Sequence, residues 1–239
     1  MKTFLNLRNE IVILERKASK SLMDIHRANK LKDMTSEENK LIDDYKHADS
    51  PDLSSKYSDG GVHHRPESAL LNGWLKHHYD NNYTGIRYRH PDQNPTSKIK
   101  AMDALLNRHK TDRDLDVYTG IRNAPKTDEN GHAHLPGYTS TSLDRHMAQE
   151  FAHGKSESDN THILHIKLPA GSHAASLHHI GRPDEKEEDE HYEHEHEIMM
   201  ARGYTIKVNP KPTIHTDSED VNHHIWHATV VKHEPKDVS

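Results

Sequence analysis

The chain has 239 residues, no cysteine, 32 basic and 38 acidic side chains and 25 histidines, which gives a net charge of -6 with neutral histidine. No apolar run approaches the roughly 20 residues of a membrane helix, and the lack of cysteine excludes disulfides and Cys-ligated zinc. We therefore expect one globular domain with an extension, in a reducing cytoplasm and without a membrane partner.

The first half of the chain is predicted to be helical. Apolar residues recur at helical spacing, without Gly or Pro, in a helical N-terminal extension that we place at residues 1–34. The next segment, TSEENKLIDDYK, opens with Thr35 or Ser36 as N-cap and Glu38 close behind, which is a capping box. The four predicted helices are residues 10–34, 35–46, 66–79 and 98–110.

The pattern changes after Leu115 to short β-rich runs separated by Gly, Pro or polar turns. These runs are LDVYTG, GYTSTS, HILHIKLP with a second strand after its Pro-Ala-Gly turn, HEIMMARG, YTIKVN and IWHATVVK. One more helix is predicted among them, in LDRHMAQEFA. Helices followed by strands indicate an α+β fold.

A hydroxyl cluster lies where GYTSTS meets that helix. Ser140, Thr141 and Ser142 can fix a nearby carboxylate by hydrogen bonds, and Phe151 can stack against a flat ring. The alternative is that the hydroxyls only cap the helix and that Phe151 belongs to the core.

Two carboxylates, Glu195 and Glu197, flank the first residue of HEIMMARG, at the end of the acidic tract 182–197. On a strand, Glu195 and Glu197 would point the same way, about 7 Å apart, with His196 opposite. One such carboxylate can orient or ionise a substrate hydroxyl while the other acts on an incoming nucleophile. The tract by itself is also typical of a solvated loop.

The ordered set of motifs resembles the arginine-serine-glutamate class of mono-ADP-ribosyltransferases. The order is Ser-Thr-Ser, an apolar strand with Pro-x-Gly, an acidic loop, Glu-x-Glu, an apolar triplet and Gly, preceded by MTSEENKLIDDY, LNGWL and VYTG. Each motif is weak alone, whereas their order over residues 35–232 is specific. The resemblance implies a split β-sandwich around an NAD cleft, in a catalytic domain of residues 35–235.

The resemblance also implies roles for the acidic and hydroxyl residues. Glu197 is the catalytic Glu, which contacts the nicotinamide ribose and stabilises an oxocarbenium-like state. Glu195 is the upstream Glu that goes with arginine acceptors. Glu193 and Glu195 fit the same spacing, but the apolar IMM follows Glu197 directly, as in the family strand. The brace of the NAD cleft is Ser140, which we also count as catalytic, with Thr141, Ser142 and the cleft aromatic Phe151.

One departure from the family pattern concerns the NAD pyrophosphate. The family usually has Arg before the Gly of its VY-R-G motif, where this chain has Thr119. Arg122, three residues on, is expected to reach the pyrophosphate, and Gly120 to offer its backbone to the nicotinamide amide. Thr119, Gly120 and Arg122 are thus predicted NAD contacts, the alternatives being weaker NAD binding and a surface role for Arg122.

The implied function is transfer of ADP-ribose from NAD to arginine on host proteins, with release of nicotinamide. The chain resembles enzymes that tailed phages use on host transcription or translation proteins, so we expect it in the host cytoplasm or the virion, with RNA open as an acceptor. The alternatives are an NAD glycohydrolase, with water as acceptor, and an inactive His-rich binding or virion protein. NAD is the expected substrate and no metal is required, because the imidazole-rich runs lack H-E-x-x-H spacing.

Overall fold

The computed structural model describes residues 22–46, 71–76, 95–153, 160–177, 196–217 and 221–238. Within these ranges the helices are α1 (22–29), α2 (Ser36–Lys46), α3 (71–76), α4 (Pro95–Asn107) and α5 (Arg145–His153). The strands are β1 (Leu115–Ile121), β2 (His132–Leu135), β3 (Thr139–Ser142), β4 (Asn160–Leu168), β5 (Ala174–Ser176), β6 (Glu197–Met200), β7 (Tyr204–Val208), β8 (Thr213–Thr216) and β9 (Asn222–His233). In this described part of the chain, no helix is long and apolar enough to span a membrane.

Helix α2 begins with the capping box that the sequence predicts. The backbone N–H of Thr35 donates to Glu38 Oε2 at 2.9 Å, and the N–H of Glu38 donates to Thr35 Oγ1 at 3.2 Å. These two bonds satisfy donors that the first turn of a helix leaves unpaired. The helix buries Ile42 and Tyr45 on its inner face.

The other helices agree with the predictions to within a few residues. Helix α4 begins at Pro95 and ends at Asn107, rather than spanning 98–110, because Pro suits the first helical turn. Its buried stripe is the predicted one, with Ile99, Met102, Leu105 and Leu106. Helix α1 lies inside the predicted helix 10–34 but ends at residue 29, so the prediction is wrong for residues 30–34, where Lys30 forms an isolated bridge with Ser176 instead. Helix α3 lies inside the predicted helix 66–79, both of whose ends fall outside the described residues. The domain boundary at residue 34 stays a prediction.

The strands form one sheet in the order β2-β7-β9-β4-β1-β3-β6-β5, with β8 paired to β9. Strands β4 and β9 pair in parallel, and the other pairs are antiparallel. Strands β1 and β3 meet in the single residue pair Tyr118 and Ser142, so this junction divides the sheet into a large and a small half. The α+β class is confirmed.

The close approach of α5 to β1 depends on a glycine. A Cβ atom at Gly120 would lie 2.6 Å from the backbone N of Ala152 and 2.8 Å from the backbone O of Ala148. Ala148 and Ala152 pack with Ile163 and Ile225 in a small apolar cluster beside the main core. The missing side chain at Gly120 therefore lets α5 lie directly on β1, next to the junction.

Candidate active site at the sheet junction

A pocket of about 210 Å³ opens at the junction of the two sheet halves. Its lining is Tyr118, Thr119 and Gly120 of β1, Ser140, Thr141 and Ser142 of β3, Ala148 and Phe151 of α5, and Glu197 of β6. The structure thus brings together the hydroxyl cluster, the carboxylate and the aromatic ring that the sequence singles out. Four elements of the chain, β1, β3, α5 and β6, supply one concave site.

The pairing of β3 with β6 sets Glu197 beside the hydroxyl cluster. Ser142 is the direct partner of Glu197 in the ladder. Thr141 Oγ1 donates to the carbonyl of Ile198 at 2.7 Å, so this hydroxyl braces β6. Ser142 Oγ accepts the N–H of Asp144 at 2.9 Å, which tightens the turn into α5. The residue that caps α5 is Asp144, whose Oδ1 accepts the N–H of His146 at 2.8 Å, so the capping alternative is wrong for Ser142, which supports the turn before the cap and lines the pocket.

The carboxylate of Glu197 carries an ion pair that the sequence did not suggest. Lys46 Nζ, at the end of α2, lies 3.3 Å from Glu197 Oε2, with the side chains 19% and 14% exposed respectively. The same ammonium donates to the carbonyl of Leu177 at 3.5 Å. The pair holds one carboxylate oxygen of a side chain that lines the pocket. The only local signal for Lys46 is its place directly after the Tyr of the IDDY motif.

A buried tyrosine, Tyr45, contacts the hydroxyl cluster. The Tyr45 hydroxyl accepts a hydrogen bond from Asn72 Nδ2 at 3.1 Å and is also hydrogen-bonded to Ser140. Burial raises the pKa of Tyr45 strongly. The hydrogen bond from Asn72 lowers this pKa by less, and the negative charge of Glu197 raises it further. The phenol therefore stays protonated and can hold Ser140 in place. Asn72 also donates to the carbonyl of Tyr138 at 3.0 Å, which ties α3 to the residue directly before β3.

Two aromatic side chains form the walls of the pocket. Phe151 is 48% exposed, so the alternative of a core residue is wrong. Tyr118 stacks on His165 with ring centroids 4.7 Å apart and an interplanar angle of 19°. Burial, followed by the charge of Asp116, raises the pKa of Tyr118. Tyr118 is absent from the predicted contacts, although it belongs to the same VYTG motif as Thr119 and Gly120.

Two predicted contacts are not part of the described pocket. Arg122 is exposed beyond the end of β1 and does not line the pocket, whereas Thr119 does. Glu195 lies outside the described residues. Strand β6 begins at Glu197, and His196 has a φ of 45°, so the extended geometry that we expected through His196 is wrong. A left-handed residue turns the chain and breaks the alternation of a strand.

No group of three or more metal-binding side chains converges in the part of the chain that the structure describes. The pocket therefore offers hydroxyls, one carboxylate and aromatic faces as its chemistry. Such a site can hold a flat ring and a sugar, and can stabilise positive charge that develops beside the carboxylate.

Comparisons with known proteins agree with this chemistry. The family model of the ADP-ribosyltransferase exoenzymes matches residues 65–233, which is more than half of the chain. Plx2a, an ADP-ribosyltransferase toxin from Paenibacillus larvae, aligns with a TM-score of 0.55 at 17% identity, over 91% of this chain and 96% of that chain. BECa, an ADP-ribosylating toxin of a C. perfringens enterotoxin solved with NADH, aligns with a TM-score of 0.54 at 20% identity, over 90% of this chain and 48% of that chain.

A third solved structure contains a bound small molecule. The ADP-ribosyltransferase Vis in complex with agmatine aligns with a TM-score of 0.54 at 15% identity, over 90% of this chain and 84% of that chain. These identities are low, so the structural matches show a shared fold. No curated protein matches the sequence significantly.

Proposed function

The chain belongs to the ADP-ribosyltransferase exoenzyme family, so it is a transferase with NAD as its substrate, and we propose that it modifies arginine side chains of host proteins. The observation that carries the proposal is the pocket in which Glu197, the Ser-Thr-Ser strand and Phe151 face one space. We place its action in the host cytoplasm, on transcription or translation proteins of a cell infected by a tailed phage.

The size of the pocket suits one end of NAD. Its volume of about 210 Å³ lies below the roughly 300–1,000 Å³ of pockets that enclose a whole drug-sized ligand. We therefore place the nicotinamide and its ribose inside, with the rest of NAD outside. The exposed face of Phe151 can stack on the nicotinamide ring, and the carboxylate of Glu197 can accept a hydrogen bond from a ribose hydroxyl.

The reaction transfers ADP-ribose with a balanced set of bonds. The bond between the ribose C1′ and the nicotinamide nitrogen breaks, and nicotinamide leaves as a neutral molecule with the bonding pair. Positive charge then develops on the ribose ring, as in other glycosyl transfers, and the negative Glu197 beside it stabilises that charge. A guanidinium nitrogen of the acceptor forms the new bond to C1′ and releases a proton.

Two features support arginine as the acceptor. The sequence places Glu195 upstream of Glu197, and a carboxylate can pair with a guanidinium through parallel hydrogen bonds. The fold neighbour Vis was solved with agmatine, whose guanidinium group is the one that arginine carries. We assign to Glu195 the orientation of the attacking guanidinium, and to Glu197 the cleavage of the glycosidic bond.

The test uses labelled NAD with agmatine and, separately, with a bacterial lysate. Wild type is compared with Glu197→Gln, Glu195→Gln and the control Glu150→Gln, which changes an exposed Glu of α5 that does not line the pocket. We expect Glu197→Gln to lower NAD turnover about 10²- to 10³-fold, because a group that stabilises transition-state charge is lost. Glu195→Gln should abolish labelling of agmatine and keep slow release of nicotinamide. Glu150→Gln should behave as wild type.

Each outcome has a definite meaning. Labelled agmatine and labelled lysate proteins with wild type would support arginine transfer. Labelled lysate proteins with unlabelled agmatine would reject arginine as the acceptor. Free ADP-ribose alone would replace the proposal with a glycohydrolase, and no turnover of NAD would favour the inactive binding protein.

A further inference from the structure

The residue before the catalytic strand adopts an unusual backbone conformation. His196 has a φ of 45°, in the left-handed region that residues with a Cβ atom rarely occupy. The next residue, Glu197, lines the pocket. A strained conformation at this position persists only where the surrounding structure holds it. The contacts of His196 therefore bear on the direction in which Glu197 enters the pocket.

A buried histidine of the N-terminal helix α1 makes such a contact. His26 is 2% exposed, and its Nε2 lies 3.1 Å from Nδ1 of His196. The two rings lie nearly parallel, with an angle of 17° and centroids 5.2 Å apart. The second nitrogen of His26, Nδ1, lies 2.7 Å from Oγ of Ser176 in β5. Both ring nitrogens of His26 thus connect α1 to the small half of the sheet.

Backbone hydrogen bonds link this contact to the pocket. The carbonyl of His196 accepts the N–H of Leu143 at 3.0 Å, directly after the pocket residue Ser142. The carbonyl of Glu197 accepts the N–H of Leu177 at 3.2 Å, directly after Ser176. A change in the backbone dihedrals of His196 therefore changes the placement of Glu197 relative to the hydroxyl cluster.

We propose that His26 is a positioning residue for the transfer reaction, because it clamps His196 in the left-handed conformation that aims Glu197 into the pocket. The inference rests on the proposed function, since its effect on catalysis passes through Glu197. It gives α1 a role in the active site although no residue of α1 lines the pocket. The pair His26 and His196 is called the histidine clamp below.

Two substitutions of His26 separate its two contacts. Asparagine places a polar atom near the position of Nδ1, so His26→Asn can keep the bond to Ser176 but cannot reach His196. Glutamine extends to the position of Nε2, so His26→Gln can keep the bond to His196. We expect kcat to fall by roughly ten- to a hundredfold in His26→Asn, with a smaller change in KM for NAD, since small displacements of a catalytic group cost this much. His26→Gln should recover most of the loss.

A double-variant cycle tests whether His26 acts through His196, because His196→Gly removes the imidazole that His26 contacts. Glycine accepts a positive φ without strain, so His196→Gly needs no clamp. In that background, His26→Asn should have little further effect on kcat. The control is His223→Asn, which removes another buried histidine, 1% exposed and bonded to Thr161 and Asp217. This control should lower Tm and leave kcat of the folded protein unchanged.

A measurement without NAD keeps this test independent of the proposed function. Hydrogen exchange at the amides of Leu143 and Leu177 reports the two backbone bonds at the clamp. Exchange at both amides should become several-fold faster in His26→Asn and return towards wild type in His26→Gln. The clamp would be overturned if His26→Asn and His26→Gln lost the same activity, or if His26→Asn lowered kcat equally with His and with Gly at position 196. Unchanged hydrogen exchange in His26→Asn would also overturn it. Wild type without NAD turnover but with the expected exchange would reject the proposed function and keep the clamp.

Discussion

We expect Gly120→Ala to lower both the stability of the fold and the affinity for NAD. The new Cβ would lie 2.6 Å from a backbone atom of α5, and ordinary contact begins at 3.4 Å, so the helix must retreat by about 0.8 Å (3.4 minus 2.6). No side-chain rotation relieves a clash with backbone atoms. Overpacking of this kind costs about 1–3 kcal/mol. At about 2–4 °C per kcal/mol for a chain of this size, Tm should fall by about 2–12 °C.

The effect on NAD follows because α5 carries part of the pocket. Ala148 and Phe151 both line it, so a displaced helix moves the aromatic wall away from the proposed nicotinamide site and raises KM for NAD. Thermal melts and KM measurements on the same preparation test both effects. The control is Gly171→Ala, where φ is 82° and no atom lies within 4 Å of the new Cβ. It should lower Tm through backbone strain without changing KM. Wild-type Tm and KM in Gly120→Ala would refute the close approach of α5 to β1.

Two further predictions concern charge. Lys46→Met should lower kcat about tenfold, because the carboxylate of Glu197 loses its 3.3 Å contact with the ammonium. Lys46→Arg should recover part of the lost kcat. Equal kcat in wild type and in Lys46→Met would contradict an orienting role of Lys46. Tm should fall as the pH decreases from about 8 to about 5.5. In the folded protein, burial lowers the pKa of several histidines below the ordinary value near 6.5, so the unfolded chain binds more protons over this pH range. A Tm independent of pH would contradict this prediction. These residues are His109, His134, His162, His227 and His233.

The sequence predicts those elements whose signals are local. The capping box of α2 lies within four residues, and the apolar stripe of α4 lies within one helix, so both predictions are confirmed. Strands β2 and β8 are absent from the prediction, because HAHL and TIHT are short and rich in polar residues. Strand β2 pairs with β7 and strand β8 pairs with β9. Their strand conformation therefore depends on tertiary contacts, which the β-propensity of the sequence does not predict.

In the candidate site, too, local sequence signals were predictive and long-range contacts were not. The hydroxyl cluster, Phe151 and Glu197 were predicted because each belongs to a short motif, and the sheet then brings them together. The contact of Lys46 with Glu197 and the histidine clamp join residues from opposite ends of the chain, and the clamp residues are 170 positions apart. The positive φ of His196 has only a weak sequence signal, because glycine is the usual residue in left-handed geometry and histidine adopts it only somewhat more often than most other residues.

The apolar triplet after Glu197 explains the register that places this carboxylate beside the hydroxyl cluster. Ile198, Met199 and Met200 are fully buried, and Met199 pairs with Ser140 while Glu197 pairs with Ser142. A shift of the strand by two residues would bring Glu195 opposite Ser142 and would push the charge of Glu197 into the buried place of Met199. Burial of an unpaired carboxylate costs several kcal/mol or more, so the apolar triplet locks the register. The register thus places Glu197 opposite Ser142, and the contact of His26 with the imidazole of His196 acts on the residue directly before it.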